Sequence, residues 1–232
     1  MPATRIFDSS GRVARPPLAR LPGEVVSWLN RPPPPPASSV PRGDGHAVLV
    51  VPAFLCGDAL TAPLRRFLAD CGYRPHGWGL GVNLGPTPRL LAGLRARAHA
   101  LAAEGPITVI GISLGGVLAR DLAYDRPRAL RRVVTIGSPF HLPTASPIAP
   151  LYRLCMPLHS RDIDLDRLAT PLPVPATALY SEEDGIVAPE SCRRESEGPA
   201  IEVGGTHIAI SANPRTLRAV AEALAQPWAP AA

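Results

Sequence analysis

The chain contains no lysine: all 24 of its basic residues are arginine. Schiff-base chemistry and pyridoxal phosphate attachment both need a lysine amine, so both are excluded. The glycine-rich phosphate loop also ends in a Gly-Lys pair, and that pair is missing. Aromatic residues make up only 5% of the chain, too few for the stacking platforms of single-strand nucleic-acid binders. The net charge is +5 and the pI near 9.5. The arginines are nevertheless scattered, and the longest basic runs are pairs: Arg65-Arg66, Arg131-Arg132 and Arg193-Arg194. Nucleic acid is therefore not an expected partner. The four cysteines, Cys56, Cys71, Cys155 and Cys192, show no C-x-x-C spacing and read as free thiols in a reducing compartment. Pro16, Pro17 and Pro22 interrupt any apolar core of signal-peptide length, and no run approaches a membrane span. The cytoplasm is the expected location.

What is present suits a single α/β domain with a sizeable core: 232 residues, 46% hydrophobic, with a mean hydropathy of +0.09. Residues 1 to about 15 read as a loose tail. Leu18, Leu21, Val25, Trp28 and Leu29 recur at helical spacing, predicting a short helix. The proline run Arg31–Ala37 is an extended strap. This divides the chain into residues 1–44, an N-terminal tail, helix and strap, and residues 45–232, the domain proper. Buried strands are expected at Ala47–Val51, Ile107–Ile110 and Arg132–Ile136, further strands at Ala176–Tyr180 and Ile201–Val203, and a shorter one near Tyr73–His76. Helices fall between them. Asp58, Thr87 and Asn213 stand where caps are needed. Residues 138–175 are proline-broken and irregular, and read as a lid-like insertion with a short helix near Pro150–Cys155. Strands alternating with helices imply a doubly wound, mostly parallel sheet of about six strands, whose ligand site lies beyond the carboxyl ends of the strands.

One stretch dominates the chain: Ile107-Thr-Val-Ile-Gly-Ile-Ser-Leu-Gly-Gly116. A buried strand gives way within a few residues to a helix, and between them stands G-x-S-x-G. So tight a turn strains its apex residue, Ser113, and lifts the side chain clear of the sheet at a helix start. Gly111 and Gly115 are expected to flank the apex because side chains there would collide. A serine hydroxyl needs a base, and histidine is the suitable one near neutral pH. Of six histidines, His46, His76 and His99 fall away from the expected edge, and His141 and His159 lie in the lid-like segment. His207 follows a predicted strand and two glycines, and is the candidate base. Its ring needs a carboxylate to fix the tautomer. Asp184 leads Glu182 and Glu183, because Gly185-Ile186-Val187 would anchor it in apolar surroundings. The backbone N–H groups of Phe54 and Leu114 are candidates for holding an oxyanion. Leu55, Phe140, Leu142, Ile186, Val187 and Ile208 are candidate pocket residues.

The order Ser113, Asp184, His207, with G-x-S-x-G between strand and helix, resembles the α/β-hydrolase superfamily over residues 45 to 226. The lipase and esterase branch is the nearest match. Pro52-Ala53-Phe54 resembles its Pro-Gly-Phe oxyanion loop, Gly137-Ser138-Pro139-Phe140 its Gly-Ser/Thr-Pro segment, and Tyr180-Ser181 through Val187 its acid loop. Trp78-Gly79 with Asn83-Leu84-Gly85 is similar to compact bacterial members. Two departures stand out: Ala53 replaces the usual glycine, and the two antiparallel first strands of the full fold are missing. The resemblance implies cleavage of small carboxylic esters, of short to medium acyl chain, through an acyl-enzyme on Ser113, with no cofactor and no metal. An acyltransferase using the same residues and a non-catalytic binding protein on this fold are the alternatives.

Overall fold

The computed structural model describes residues 6, 14–125, 129–139, 144–160, 163–168, 170–193 and 198–228. Six strands form one sheet in the order β2-β1-β3-β4-β5-β6: β1 Ala47–Val51, β2 Arg74–Gly77, β3 Ile107–Ile112, β4 Leu130–Ile136, β5 Ala176–Tyr180 and β6 Ala200–Glu202. Every pairing is parallel, in agreement with the doubly wound sheet expected from the sequence. Helix α1, Leu21–Leu29, precedes the sheet. The crossover helices are α2 Asp58–Asp70, α3 Pro88–Glu104 and α4 Leu114–Tyr124. Two short helices, α5 Ala149–Cys155 and α6 Leu165–Leu168, lie between β4 and β5, and α7 Pro214–Ala225 follows the last strand.

Alternation along the strands explains why both faces are covered. In β1, Ala47, Leu49 and Val51 pack with Leu90, Leu94, Val117 and Leu122 of α3 and α4. Val48 and Val50 point the other way, toward Leu64 and Phe67 of α2 and Leu217, Val220 and Leu224 of α7. A strand buried on both sides carries no polar face, hence the continuous apolar runs in the sequence. From β1 the chain steps outward to β2, then returns past β1 to β3. A parallel sheet opens a crevice at the carboxyl ends of strands where the order reverses in this way.

The cap residues divide. Thr87 accepts from Leu90 N–H and Asn213 from Arg215 N–H at the starts of α3 and α7. Asp58 is not a cap. Gly57 takes that position, and the Asp58 carboxylate instead accepts from the N–H groups of Trp78 and Gly79, both at 3.0 Å. A carboxylate satisfied by two loop donors is free to leave its own helix.

Described residues of two segments are more firmly placed than the composition of those segments suggests. In the expected loose tail, Ile6 is fully buried, and its carbonyl accepts from Thr144 N–H at 3.0 Å. The proline-broken stretch after β4, which carries α5 and α6, is held from three sides. Ser146 Oγ donates to Ile186 O at 2.7 Å, Ser160 N–H to Pro86 O at 2.7 Å, and Arg120 of α4 to the carbonyls of Leu168 and Thr170. Its described part is thus anchored to the rest of the domain. Among the described residues no helix is long and apolar enough to cross a membrane.

Candidate active site

Ser113 closes β3 and caps α4 with φ 52° and ψ −122°, a region that costs a non-glycine residue about 1–3 kcal/mol. The local packing leaves the chain no alternative. A Cβ on Gly111 would overlap Gly116 Cα, and one on Gly115 would overlap the carbonyl of Val51, so strand and helix approach as backbone on backbone. Ser113 N–H donates to Ile136 O at 2.8 Å, tying the turn to the end of β4. The pattern of the turn predicts an apex hydroxyl standing in the open. Instead Ser113 is only 1% exposed, because the loops after β1 and β4 close around the turn.

Asp184 and His207 come together in the structure. His207 Nδ1 lies 2.6 Å from Asp184 Oδ2, while Asp184 Oδ1 accepts from the N–H groups of Ile186 and Val187 at 2.8 and 2.7 Å. Both side chains are buried. Gly137, at φ 57°, faces this pair: a Cβ there would sit 3.3 Å from the His207 ring and 3.4 Å from Asp184 Oδ2. Gly137 directly follows Ile136, whose carbonyl accepts from Ser113 N–H, so the Asp184–His207 pair lies at the carboxyl end of β4, the strand next to the one that ends at Ser113. Burial pulls the His207 imidazole down. The charge and hydrogen bond of Asp184, joined by the charge of Glu24, outweigh it, so the ring titrates above its ordinary range. Glu182 and Glu183 lie elsewhere: Glu182 pairs with Arg193 at 3.5 Å, and Glu183 accepts from Gly205 N–H at 3.1 Å on the exposed side of the histidine loop.

The loop after β1 holds Phe54 and Leu55, the latter at φ 59°. Asn83, completely buried, fixes that loop. Its Nδ2 donates to Pro52 O at 2.7 Å and its Oδ1 accepts from Gly85 N–H at 3.0 Å. Its backbone exchanges bonds with Leu55 N–H and Cys56 O. Leu114 is the first residue of α4, so its N–H belongs to the unpaired first turn of that helix. Asn83→Ala would leave a buried carbonyl and a buried N–H unpaired, and is expected to cost about 1–3 kcal/mol in urea unfolding. A midpoint equal to wild type would contradict this.

The candidate pocket residues separate. Leu55 is 40% exposed. Ile186 is at the edge of burial, and Ile208 packs partly buried against the core. Val187 has no exposed surface and belongs to the core. Its N–H donates to Asp184 Oδ1. Phe140, Leu142 and His141 lie outside the described residues. Of the other histidines, His46 bonds Asp44 and Thr108 at the amino ends of the strands, and His159 bonds Leu84 O beside Tyr152. Tyr152 in turn meets the Phe54 ring edge-on at 5.3 Å, joining α5 to the loop after β1.

No protein-family profile matches the chain. A pimeloyl-[acyl-carrier protein] methyl ester esterase from Aromatoleum aromaticum is 39% identical over 87 residues, covering 27% of this chain and 35% of that protein. The chain thus spans about a third of the length of this curated relative. Solved structures match far more of it. A monoacylglycerol lipase from Paleococcus ferrophilus aligns over 80% of this chain and 96% of its own, with a TM-score of 0.59 at 17% identity. An alpha/beta hydrolase enzyme from the sediment metagenome of the Mar Chica lagoon aligns over 78% and 91%, with a TM-score of 0.58 at 13% identity. A chain from the structural work on the metagenome-derived lipolytic enzymes LipS and LipT aligns over 83% of this chain and 97% of its own, with a TM-score of 0.55 at 16% identity. The chain has the α/β-hydrolase fold, in a minimal six-stranded form.

Proposed function

We propose that the protein is a serine esterase that cleaves small carboxylic esters through an acyl-enzyme. The observation that carries this reading is the strained turn at Ser113, together with an Asp184–His207 pair bonded at 2.6 Å. Strain at a site is retained where the surrounding packing enforces it, and such sites are often functional.

In this mechanism His207 Nε2 takes the Ser113 proton as Oγ attacks the ester carbonyl. Asp184 keeps the other ring proton on Nδ1 and stabilises the imidazolium. The N–H groups of Phe54 and Leu114 receive the developing oxyanion, aided by the amino end of α4. The imidazolium gives its proton to the departing alcohol, leaving the acyl group on Ser113. Water activated by His207 then releases the acid and restores the serine. The name of the Aromatoleum protein, a methyl ester esterase, supports esters as the bond class. Free Cys56, Cys71, Cys155 and Cys192 accord with a cytoplasmic site of action.

Substrate size follows from the apolar candidate pocket residues. Leu55, Ile186 and Ile208 neighbour Phe54, Asp184 and His207 along the chain, and each methylene of an acyl chain buried against them is worth about 0.8 kcal/mol, roughly fourfold in kcat/KM. Among the described residues, the only α-helices between β4 and β5 are the short α5 and α6, so no large helical cap stands there to enclose a long chain. For p-nitrophenyl esters, kcat/KM is expected to climb from acetate into medium chains and then level off or fall, with no jump when substrate forms droplets. A rate that rises through to palmitate, or only above the solubility limit, would show a true lipase lid instead. No turnover of any ester would remove the esterase reading.

A further inference from the structure

Helix α1, Leu21–Leu29, is packed against the two loops that carry Asp184 and His207, and it does so through polar side chains on one face. Arg20, just before the helix, donates from Nη1 to the carbonyls of Glu182 and Asp184 at 2.9 and 3.0 Å. One turn on, Glu24 is buried at 1% exposure. Its Oε1 accepts from Gly185 N–H and its Oε2 from Ile208 N–H, both at 2.8 Å. Ser27 continues the same face, its hydroxyl on that of Thr206.

From this we infer that Glu24 is a positioning residue: its carboxylate ties the acid loop to the histidine loop and holds Asp184 and His207 in register for ester cleavage. The inference rests on the esterase reading. Each N–H it accepts belongs to the residue directly after a member of the pair, Gly185 after Asp184 and Ile208 after His207. Sequence separations of 161 and 184 make it a long-range clamp that no local turn could supply. Burying a carboxylate is costly unless its oxygens are satisfied, so apolar packing would dock this helix at lower cost. A glutamine cannot replace it, since an amide offers one acceptor oxygen and would turn an N–H donor toward the other loop.

Several charged and titratable groups share this neighbourhood. Asp184 and Glu183 come from the acid loop, with Glu182 held by Arg193 at 3.5 Å. Arg20 comes from the helix side, and His207 from its own loop. The Cys192 thiol lies buried nearby, pushed up by burial and by Asp184, and stays neutral. The negative charge of Glu24 favours the protonated His207 ring, so its loss should lower the pH at which the ring titrates.

The test compares the full chain with Glu24→Gln and Glu24→Asp by three readouts: the pH profile of kcat/KM, NMR titration of the His207 ring, and thermal unfolding. Glu24→Gln is expected to lose about ten- to a hundredfold in kcat with little change in KM, and to move both the ascending limb and the His207 titration to lower pH. Glu24→Asp keeps the charge but is too short to reach both loops, so kcat should fall while the limb stays near wild type. A Gln variant with wild-type kcat and limb, or with only lower thermal stability, would overturn the inference. If the Gln variant does not fold, an unchanged kcat in Glu24→Asp overturns it. Should the wild type cleave no ester, the esterase reading fails by itself. The NMR titration of His207 in wild type and Glu24→Gln then decides the link, and equal titrations would end it.

Discussion

Ser113→Ala is expected to reduce kcat for a p-nitrophenyl ester by at least about 10³-fold while the thermal unfolding midpoint stays close to wild type. The size of the loss follows from the way nucleophile, base and acid act as a unit. Without the hydroxyl no acyl-enzyme forms, and only the oxyanion donors and substrate binding remain. The fold should tolerate the change because the turn is held by backbone contacts: Ser113 N–H on Ile136 O and Gly111 against Gly116. Alanine removes one hydroxyl and none of these. A variant retaining full activity would move the nucleophile elsewhere.

Asp184→Asn should be nearly as damaging, about 10⁴-fold in kcat, through the wrong histidine tautomer. The introduced amide could donate to Nδ1 and leave the ring proton on Nε2, where the serine needs an acceptor. The pH dependence separates this from simple damage. His207 acts as base only when neutral, so kcat/KM rises as pH passes its pKa. Burial lowers that pKa, but the charge and bond of Asp184 raise it further. The ascending limb is therefore expected above the ordinary histidine value of about 6.5, and removing the Asp184 charge should shift it downward. Glu183→Gln should leave both rate and limb near wild type, because Glu183 only accepts an exposed N–H from Gly205. If Glu183→Gln were dead and Asp184→Asn active, the orienting acid would be Glu183.

Much of this arrangement is legible in residue pattern. A strand buried on both faces announces itself as a continuous apolar run, so β1 falls where Ala47–Val51 predicts it, and β5, whose burial alternates along the strand, also falls at Ala176–Tyr180. Two glycines around Ser113 force the turn, and strand ends place Asp184 and His207 at the same edge. Contacts made across long separations leave no such trace. In the sequence Glu24 is one glutamate on a short amphipathic helix, yet its carboxylate is buried between two distant loops. Asn83 stands out only as part of a glycine-rich loop, although its amide fixes the turn after β1. Val187 reads as pocket lining because it is apolar, whereas the acid loop turns it into the core. Asp58 illustrates the same limit: helix position marks it as a cap, but two loop donors claim its oxygens.

The central claim is that Ser113 is a nucleophile activated by the Asp184–His207 pair. The most direct measurement is peptide mass spectrometry after treatment with a small fluorophosphonate, on wild type and on His207→Ala. A single phosphonyl adduct on Ser113 in the wild type is expected, with labelling at least about 10³-fold slower in His207→Ala, since the unassisted hydroxyl is a weak nucleophile. An adduct on another residue, no adduct at all, or equally fast labelling without His207 would contradict it.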